Sequence, residues 1–160
     1  MSLNLLHKLV LLIVAIVLAT VMISILFEDD TRWQEAVFLG IKNKINVAVN
    51  NAHWQWQKNG RPSSILIYQQ ADIKPFVAPF EVKMNSKGWP EIGDSDADCM
   101  AFLASFTRPF APEMSAAITA KFELSDTSNV PLCVFEHKAF GQFSYNLVTG
   151  NVRMTKTLTL

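Results

Sequence analysis

Residues 9–27 read LVLLIVAIVLATVMISILF, and Thr20 and Ser24 are the only polar residues in this run. An α-helix rises about 1.5 Å per residue, so nineteen residues span roughly 28 Å. The hydrocarbon core of a bilayer is about 30 Å thick. The run therefore predicts a helix that is long and apolar enough to cross a membrane.

Two other interpretations of this run compete with a membrane anchor. A cleaved secretory signal has a shorter apolar core, of about 7–15 residues, followed by small residues at its cleavage site. Here the run continues directly into Glu28, Asp29 and Asp30 without an A-x-A pattern. A buried core helix of this apolarity would need more surrounding protein than so small a domain can supply. We predict a transmembrane anchor over residues 9–27.

The flanking charges bear on orientation. Lys8 and the N-terminal amine favour a cytoplasmic tail over residues 1–8, with one extracytoplasmic domain over residues 28–160. Arg32 and Lys42 follow the anchor, so charge alone is weak evidence. The only cysteines, Cys99 and Cys133, are compatible with one disulfide in an oxidising compartment. Two reduced, buried thiols in a cytoplasmic domain are the alternative.

The spacing of apolar residues changes after the three acidic residues 28–30, which we call the acidic triplet. From Thr31 to Lys58 apolar residues recur at steps of three or four, as on one face of a helix. Thr31 and Gln34 fit a capping box, and Asn59-Gly60 fits a stop. The sequence leaves open whether this is a new helix or a continuation of the anchor. Its apolar stripe comprises Trp33, Val37, Ile41, Ile45, Ala48, Ala52 and Trp56.

The C-terminal half reads mainly as short strands. A short helix is predicted over 96–106, and the last two strands are joined at Val148-Thr149-Gly150. Successive strands with short links indicate an antiparallel meander, and the whole reads as an α+β domain in which a helix packs on an antiparallel sheet. The strand candidates are residues 64–68, 80–84, 121–124, 132–136, 142–147 and 151–157.

Motifs that carry chemistry are missing from the sequence. Fourteen basic and fourteen acidic residues balance, without the basic patch that nucleic-acid binding needs. The alternating acids Asp94, Asp96 and Asp98 lack the Gly and Glu of a calcium-binding EF-hand loop, and we interpret them as a loop and helix cap. Glu136 and His137, adjacent on a strand, would point to opposite faces. We predict no catalytic residue, metal site or cofactor.

Three aromatic or imidazole side chains, His53, Trp54 and Trp56, lie close together near the end of the predicted helix. A site that stacks a ligand or holds a metal is one interpretation of this patch. The interpretation we favour is that the aromatic rings cover the sheet and that His53 is partly exposed.

Three segments resemble pilin-like proteins of the mannose-sensitive haemagglutinin (MSHA) pilus system. Residues 52–60, AHWQWQKNG, resemble the Trp-containing end of their long helix. Residues 85–90, NSKGWP, resemble their Asn-x-x-Gly-aromatic-Pro stretch before the first cysteine, here Cys99. Residues 143–152, FSYNLVTGNV, resemble the Thr-Gly hairpin after the second cysteine, here Cys133. The overall organisation is similar to a type IV pilin or pseudopilin.

This resemblance implies a fold and a location. The hydrophobic helix would continue into an amphipathic half that packs on an antiparallel sheet, and a disulfide would close the C-terminal region. The anchor would lie in the bacterial inner membrane, with the domain in the periplasm. One feature departs from the family: pilins are cut at a Gly-Phe junction, which leaves a Glu early in the helix, whereas here no glycine precedes the anchor and no acid precedes Glu28. We therefore expect an uncleaved anchor.

The function implied is that of an accessory, non-enzymatic protein of pilus biogenesis. Its expected partners are pilins, inner-membrane pilus assembly proteins and, through the anchor, membrane lipid, but not nucleic acid. A minor pilin at the filament tip and a membrane-tethered ligand-binding domain are the alternatives. The candidate interaction face comprises Trp33, Val37, Ile41, Ile45 and Trp56.

Overall fold

The computed structural model describes residues 3–68, 78–107, 112–125 and 129–156. The chain divides into two compact units, Met1–Ala36 and Val37–Leu160. Among the described residues the helices are α1 (Leu3–Lys58), α2 (Asp96–Thr107) and α3 (Pro112–Ala116), and the strands are β1 (Ser64–Ile67), β2 (Phe80–Lys83), β3 (Thr119–Leu124), β4 (Pro131–His137), β5 (Gly141–Asn146) and β6 (Val152–Lys156).

A single α-helix, α1, occupies the region for which the sequence allowed either one helix or two. Thr31 is therefore an interior helical residue, and the predicted capping box at this position is wrong. The segment His7–Ser24 is long and apolar enough to cross a membrane, and it is not buried by the protein. Its two hydroxyls donate back to the helix, from Thr20 to the Val17 carbonyl at 2.8 Å and from Ser24 to the Val21 carbonyl at 2.9 Å. These bonds satisfy both polar groups inside an apolar run.

The predicted stop at Asn59-Gly60 is present. The Arg61 amide donates to the Trp56 carbonyl at 2.9 Å, and the Gly60 amide donates to the Gln57 carbonyl at 3.3 Å. These two bonds form a Schellman motif, which needs a residue with positive φ at the position of Gly60, where φ is 81°. The motif satisfies carbonyls that the end of a helix leaves without partners.

The second half of α1 buries one face in the domain core. It keeps the predicted spacing of three or four residues, but Phe38 and Val49, which the predicted stripe omitted, are buried, and Ala48 is only partly buried. Phe38 packs on Phe143 of β5, with ring centroids 5.5 Å apart. The buried positions of α1 are Phe38, Ile41, Ile45, Val49, Ala52 and Trp56.

Within the described residues the strands form two antiparallel sheets rather than one. β1 pairs with β2, and the four strands from β3 to β6 pair in sequence order, which confirms the predicted meander. Phe135 of β4 lies opposite Phe143 of β5, and both side chains are buried. Strand bounds agree with the prediction to within two residues, except that Thr157, the predicted end of β6, lies outside the described residues.

Helix α2 covers the β3 edge of the larger sheet. Asp96 in its first turn accepts a hydrogen bond from the Phe122 amide of β3 at 2.7 Å. Cys99 of α2 and Cys133 of β4 lie at disulfide distance, with Cα atoms 5.6 Å apart, and both are fully buried. The short helix α3 was not predicted, since one turn is too brief for a periodic pattern.

Candidate functional site

The end of α1 and two loops meet in a group of residues that we call the helix-end cluster: His53, Trp56, Gly88, Trp89 and Gly150. His53 stacks on Trp89, with ring centroids 4.0 Å apart and planes at 14°. A Cβ atom on Gly88 would lie 2.2 Å from the Trp56 ring, and one on Gly150 would lie 2.1 Å from the Trp89 ring. Both glycines thus let backbone approach an indole more closely than any side chain would permit.

Hydrogen bonds from Asn85 hold the loop of the helix-end cluster in place. Its Oδ1 accepts from the amides of Lys87 at 2.9 Å and Trp89 at 3.0 Å. Its Nδ2 donates to the Leu147 carbonyl at 2.9 Å. A single side chain therefore both shapes the 85–90 loop and ties it to the hairpin after β5.

The buried phenol of Tyr145 adds a second tie to the same loop. Its hydroxyl donates to the Pro90 carbonyl at 3.1 Å. Burial raises the pKa of Tyr145 above its usual value, because the ionised phenolate would lose its hydration. The phenol therefore stays neutral at physiological pH and acts as a donor.

The structure thus brings together the three segments that carry the family resemblance. Residues 52–60 supply His53 and Trp56, residues 85–90 supply the loop, and residues 143–152 supply Tyr145 and Gly150. The sequence separates these segments by 24 to 82 residues, and nothing in its periodicity predicts that they touch.

Both ring nitrogens of His53 have hydrogen-bond partners. Nδ1 lies 2.8 Å from the Gly88 carbonyl oxygen, which can only accept, so Nδ1 carries the proton. In the neutral ring Nε2 then accepts from the Gln57 side-chain amide at 2.7 Å. Both contacts lie within the domain and orient the ring.

The two tryptophans near His53 face different sides of α1. Trp56 is 7% exposed, and its Nε1 donates to the Pro62 carbonyl at 2.9 Å. Trp54 is 69% exposed. Because the rings do not converge, they do not form the ligand-stacking site that the sequence suggested as an alternative.

The acidic loop before α2 has structural partners. Ser95 caps α2: the Asp98 amide donates to the Ser95 hydroxyl at 3.2 Å, and that hydroxyl donates to the Asp98 carboxylate. Asp96 bonds β3, as described above. Within residues 3–68, 78–107, 112–125 and 129–156, no three His, Cys, Asp or Glu side chains are grouped so as to hold a metal ion.

His137 belongs to an aromatic group and not to an acid–base pair. Its ring stacks on Phe140 with centroids 4.6 Å apart, whereas Glu136 is exposed. Partial burial lowers the pKa of His137, since desolvation penalises its charged form. These contacts give His137 a packing role.

A shallow groove of about 250 Å³ lies between β2 and α2. Its apolar lining comes from Phe80, Phe102 and Phe106. Two carboxylates at its rim, Glu81 and Asp98, already accept hydrogen bonds from serine hydroxyls of the domain. Lys83 and Glu91 also line the groove.

The predicted interaction face is divided between core and surface. Ile41 and Ile45 are fully buried in the domain, and Trp56 is nearly so. Val37 is half-buried, and Trp33 is 68% exposed. The three buried residues contact the domain's own core, so they present no surface to a partner in this structure.

A different surface of α1 is open, and we call it the outer face: Leu39, Asn43, Val47, Asn50 and Trp54. All five side chains are exposed, and Val47 is exposed to 57%. Every exposed residue of α1 from Leu39 to Gln57 is uncharged, whereas the solvent face of a surface helix is usually rich in charge. In the sequence this face corresponds to a second stripe of apolar and amide residues, opposite the stripe that packs in the core. That stripe is a weak signal for a docking surface, because amide residues are also common at exposed positions.

No family model, curated protein or solved structure matches this chain significantly.

Proposed function

We propose that this chain is an accessory, non-enzymatic component of type IV pilus biogenesis of the MSHA type. It is anchored in the bacterial inner membrane by its N-terminal helix, with the N-terminus in the cytoplasm and a pilin-like domain in the periplasm. It acts by binding pilins or the inner-membrane proteins that assemble them.

The observation that carries this proposal is the helix-end cluster. Residues 52–60, 85–90 and 143–152 each resemble a segment of MSHA pilin-like proteins, and they pack against one another through Trp56, Trp89 and the two glycines. Their contact supports a common pilin-like module closed by Cys99 and Cys133.

The apolar helix supports membrane anchoring. His7–Ser24 contains no acidic residue and is left unburied by the protein. Burying that surface in lipid is favoured by about 25 cal/mol for each Å² of apolar area removed from water. A membrane anchor also keeps the domain in the plane where inner-membrane partners lie.

The outer face is the proposed docking surface. We propose it instead of the face predicted from the sequence, because Ile41, Ile45 and Trp56 of that face are buried in the domain. Interface centres are depleted in charge and enriched in tryptophan, and this face has Trp54 and no charged member.

The test is site-specific photocrosslinking in cells that assemble the pilus. A photoreactive amino acid replaces Val47 on the outer face, and Lys121, which is exposed on β3, is the control position. We expect adducts with a pilin or an assembly protein from position 47 and not from position 121. Equal or absent crosslinking at both positions would contradict the docking surface.

Deletion of the chain tests its role independently. We expect loss of surface pili, restored by the wild-type chain and by His53→Ala, because the proposal gives His53 no chemical role. Unaffected pili after deletion would contradict the proposal. Recovery of the chain in sheared filaments would instead favour a minor pilin.

A further inference from the structure

We infer that Trp33 is an interfacial anchor: its indole lies in the lipid headgroup layer on the side where α1 leaves the bilayer. The inference rests on the proposed membrane anchoring and adds the depth at which the chain is held. Trp33 belongs to the same compact unit, Met1–Ala36, as the membrane-spanning segment.

The spacing along α1 sets the depth of Trp33. The apolar run 9–27 is centred on Leu18, and Trp33 follows fifteen residues later. At about 1.5 Å per residue its Cα atom is about 22 Å from the bilayer midplane. A bilayer with its headgroups is about 40–45 Å thick, so its outer boundary lies at roughly 20–22 Å. The Cα atom of Trp33 therefore lies at the outer boundary of the headgroups.

The direction of helical side chains moves the ring further inward. In an α-helix the Cα–Cβ bond tilts toward the N-terminus, and long side chains lean over the preceding turn. For Trp33 the N-terminal direction is the direction of the membrane. The indole thus reaches back from the boundary into the headgroup layer.

The chemistry of the residue fits that layer. An indole has a large apolar body and one polar N–H, and tryptophan is enriched at membrane–water interfaces for this reason. Trp33 is 68% exposed, so the protein leaves most of the ring uncovered. The headgroup layer would cover it without removing the N–H from polar partners.

The experiment measures quenching of tryptophan fluorescence by brominated lipids. The full chain is reconstituted into phosphatidylcholine vesicles with bromines either near the headgroup or deep in the acyl chain. We expect stronger quenching by the shallow bromines, and we expect W33F to lose most of that shallow component. W54F is the matched control, because Trp54 is exposed to 69% and its removal leaves Trp33 in place.

The outcomes separate this inference from the proposed anchoring. If the chain floats with the vesicles and W33F retains the shallow quenching of the wild type, Trp33 is not at the interface and the inference fails alone. If the chain does not float with the vesicles, the anchoring fails and the inference fails with it. Loss of shallow quenching in W33F, with retention in W54F, supports both.

Discussion

Replacing Gly88 by alanine tests the helix-end cluster, because two separate costs can be read from the structure. The backbone φ of Gly88 is 80°, a conformation that costs an L-residue about 1–2 kcal/mol. An added Cβ would also lie 2.2 Å from the Trp56 ring, and overpacking typically costs about 1–3 kcal/mol. G88A should therefore lower the free energy of unfolding by about 2–5 kcal/mol.

Gly60 provides a matched control for the backbone cost. Its φ is 81°, and an added Cβ would meet nothing within 4 Å. G60A should therefore lose about 1–2 kcal/mol only. Alanine has less conformational freedom than glycine in the unfolded chain, which affects the free energy of unfolding of both variants equally. This effect therefore cancels when G88A is compared with G60A.

The assay is chemical denaturation of the full chain in detergent micelles, followed by tryptophan fluorescence. The difference between G88A and G60A should be about 1–3 kcal/mol. Combining G88A with Trp56→Phe, which removes the ring atoms nearest to the new Cβ, should recover part of that difference. Equal destabilisation by G88A and G60A would refute the close packing of Gly88 on Trp56.

Four further perturbations follow from the same contacts. Replacing both Cys99 and Cys133 by serine should lower the free energy of unfolding by about 3–4 kcal/mol, since the bridge closes a long loop, and denaturation with and without reductant measures this. Asn85→Ala removes three hydrogen bonds and should cost about 2–4 kcal/mol in the same assay, whereas a loss below about 0.5 kcal/mol would contradict the role of Asn85 in the loop. Trp54→Ala should leave stability within about 0.5 kcal/mol of the wild type but weaken partner crosslinking, whereas Trp56→Ala should cost about 3–5 kcal/mol. The pKa of Tyr145 is higher in the folded protein than the value of about 10 for an unfolded tyrosine, so the stability that depends on its proton is complete below about pH 10 and should decline as pH rises further. A pH series of denaturation midpoints measures this decline, and Tyr145→Phe should reduce it.

The local pattern of the sequence predicts most of the secondary structure because each signal acts over a few residues. The apolar stripe predicts the burial of Ile41, Ile45, Ala52 and Trp56 but not that of Val49, and Asn59-Gly60 predicts the end of α1. The meander follows from short strands with short links. The single helix through residue 31 was not decided by the sequence, since the acidic triplet interrupts the apolar run without a helix breaker.

The candidate sites depend on contacts between distant segments, and the sequence predicts these poorly. Trp33 and Trp56 lie on the same predicted stripe, yet Trp33 is exposed and Trp56 is buried. The apolar stripe shows that Ile41 and Ile45 need a partner, but it does not show whether the partner is the domain's own sheet or another protein. The approach of Trp89 to Gly150 arises from tertiary packing alone.

The proposed function requires above all that the N-terminal helix remain with the domain as a membrane anchor. Alkaline carbonate extraction of cell membranes, followed by intact-mass measurement of the chain, tests this directly. We predict that the chain stays in the membrane pellet and that its mass includes the apolar run 9–27. A soluble chain whose mass lacks the apolar run 9–27 would contradict the account.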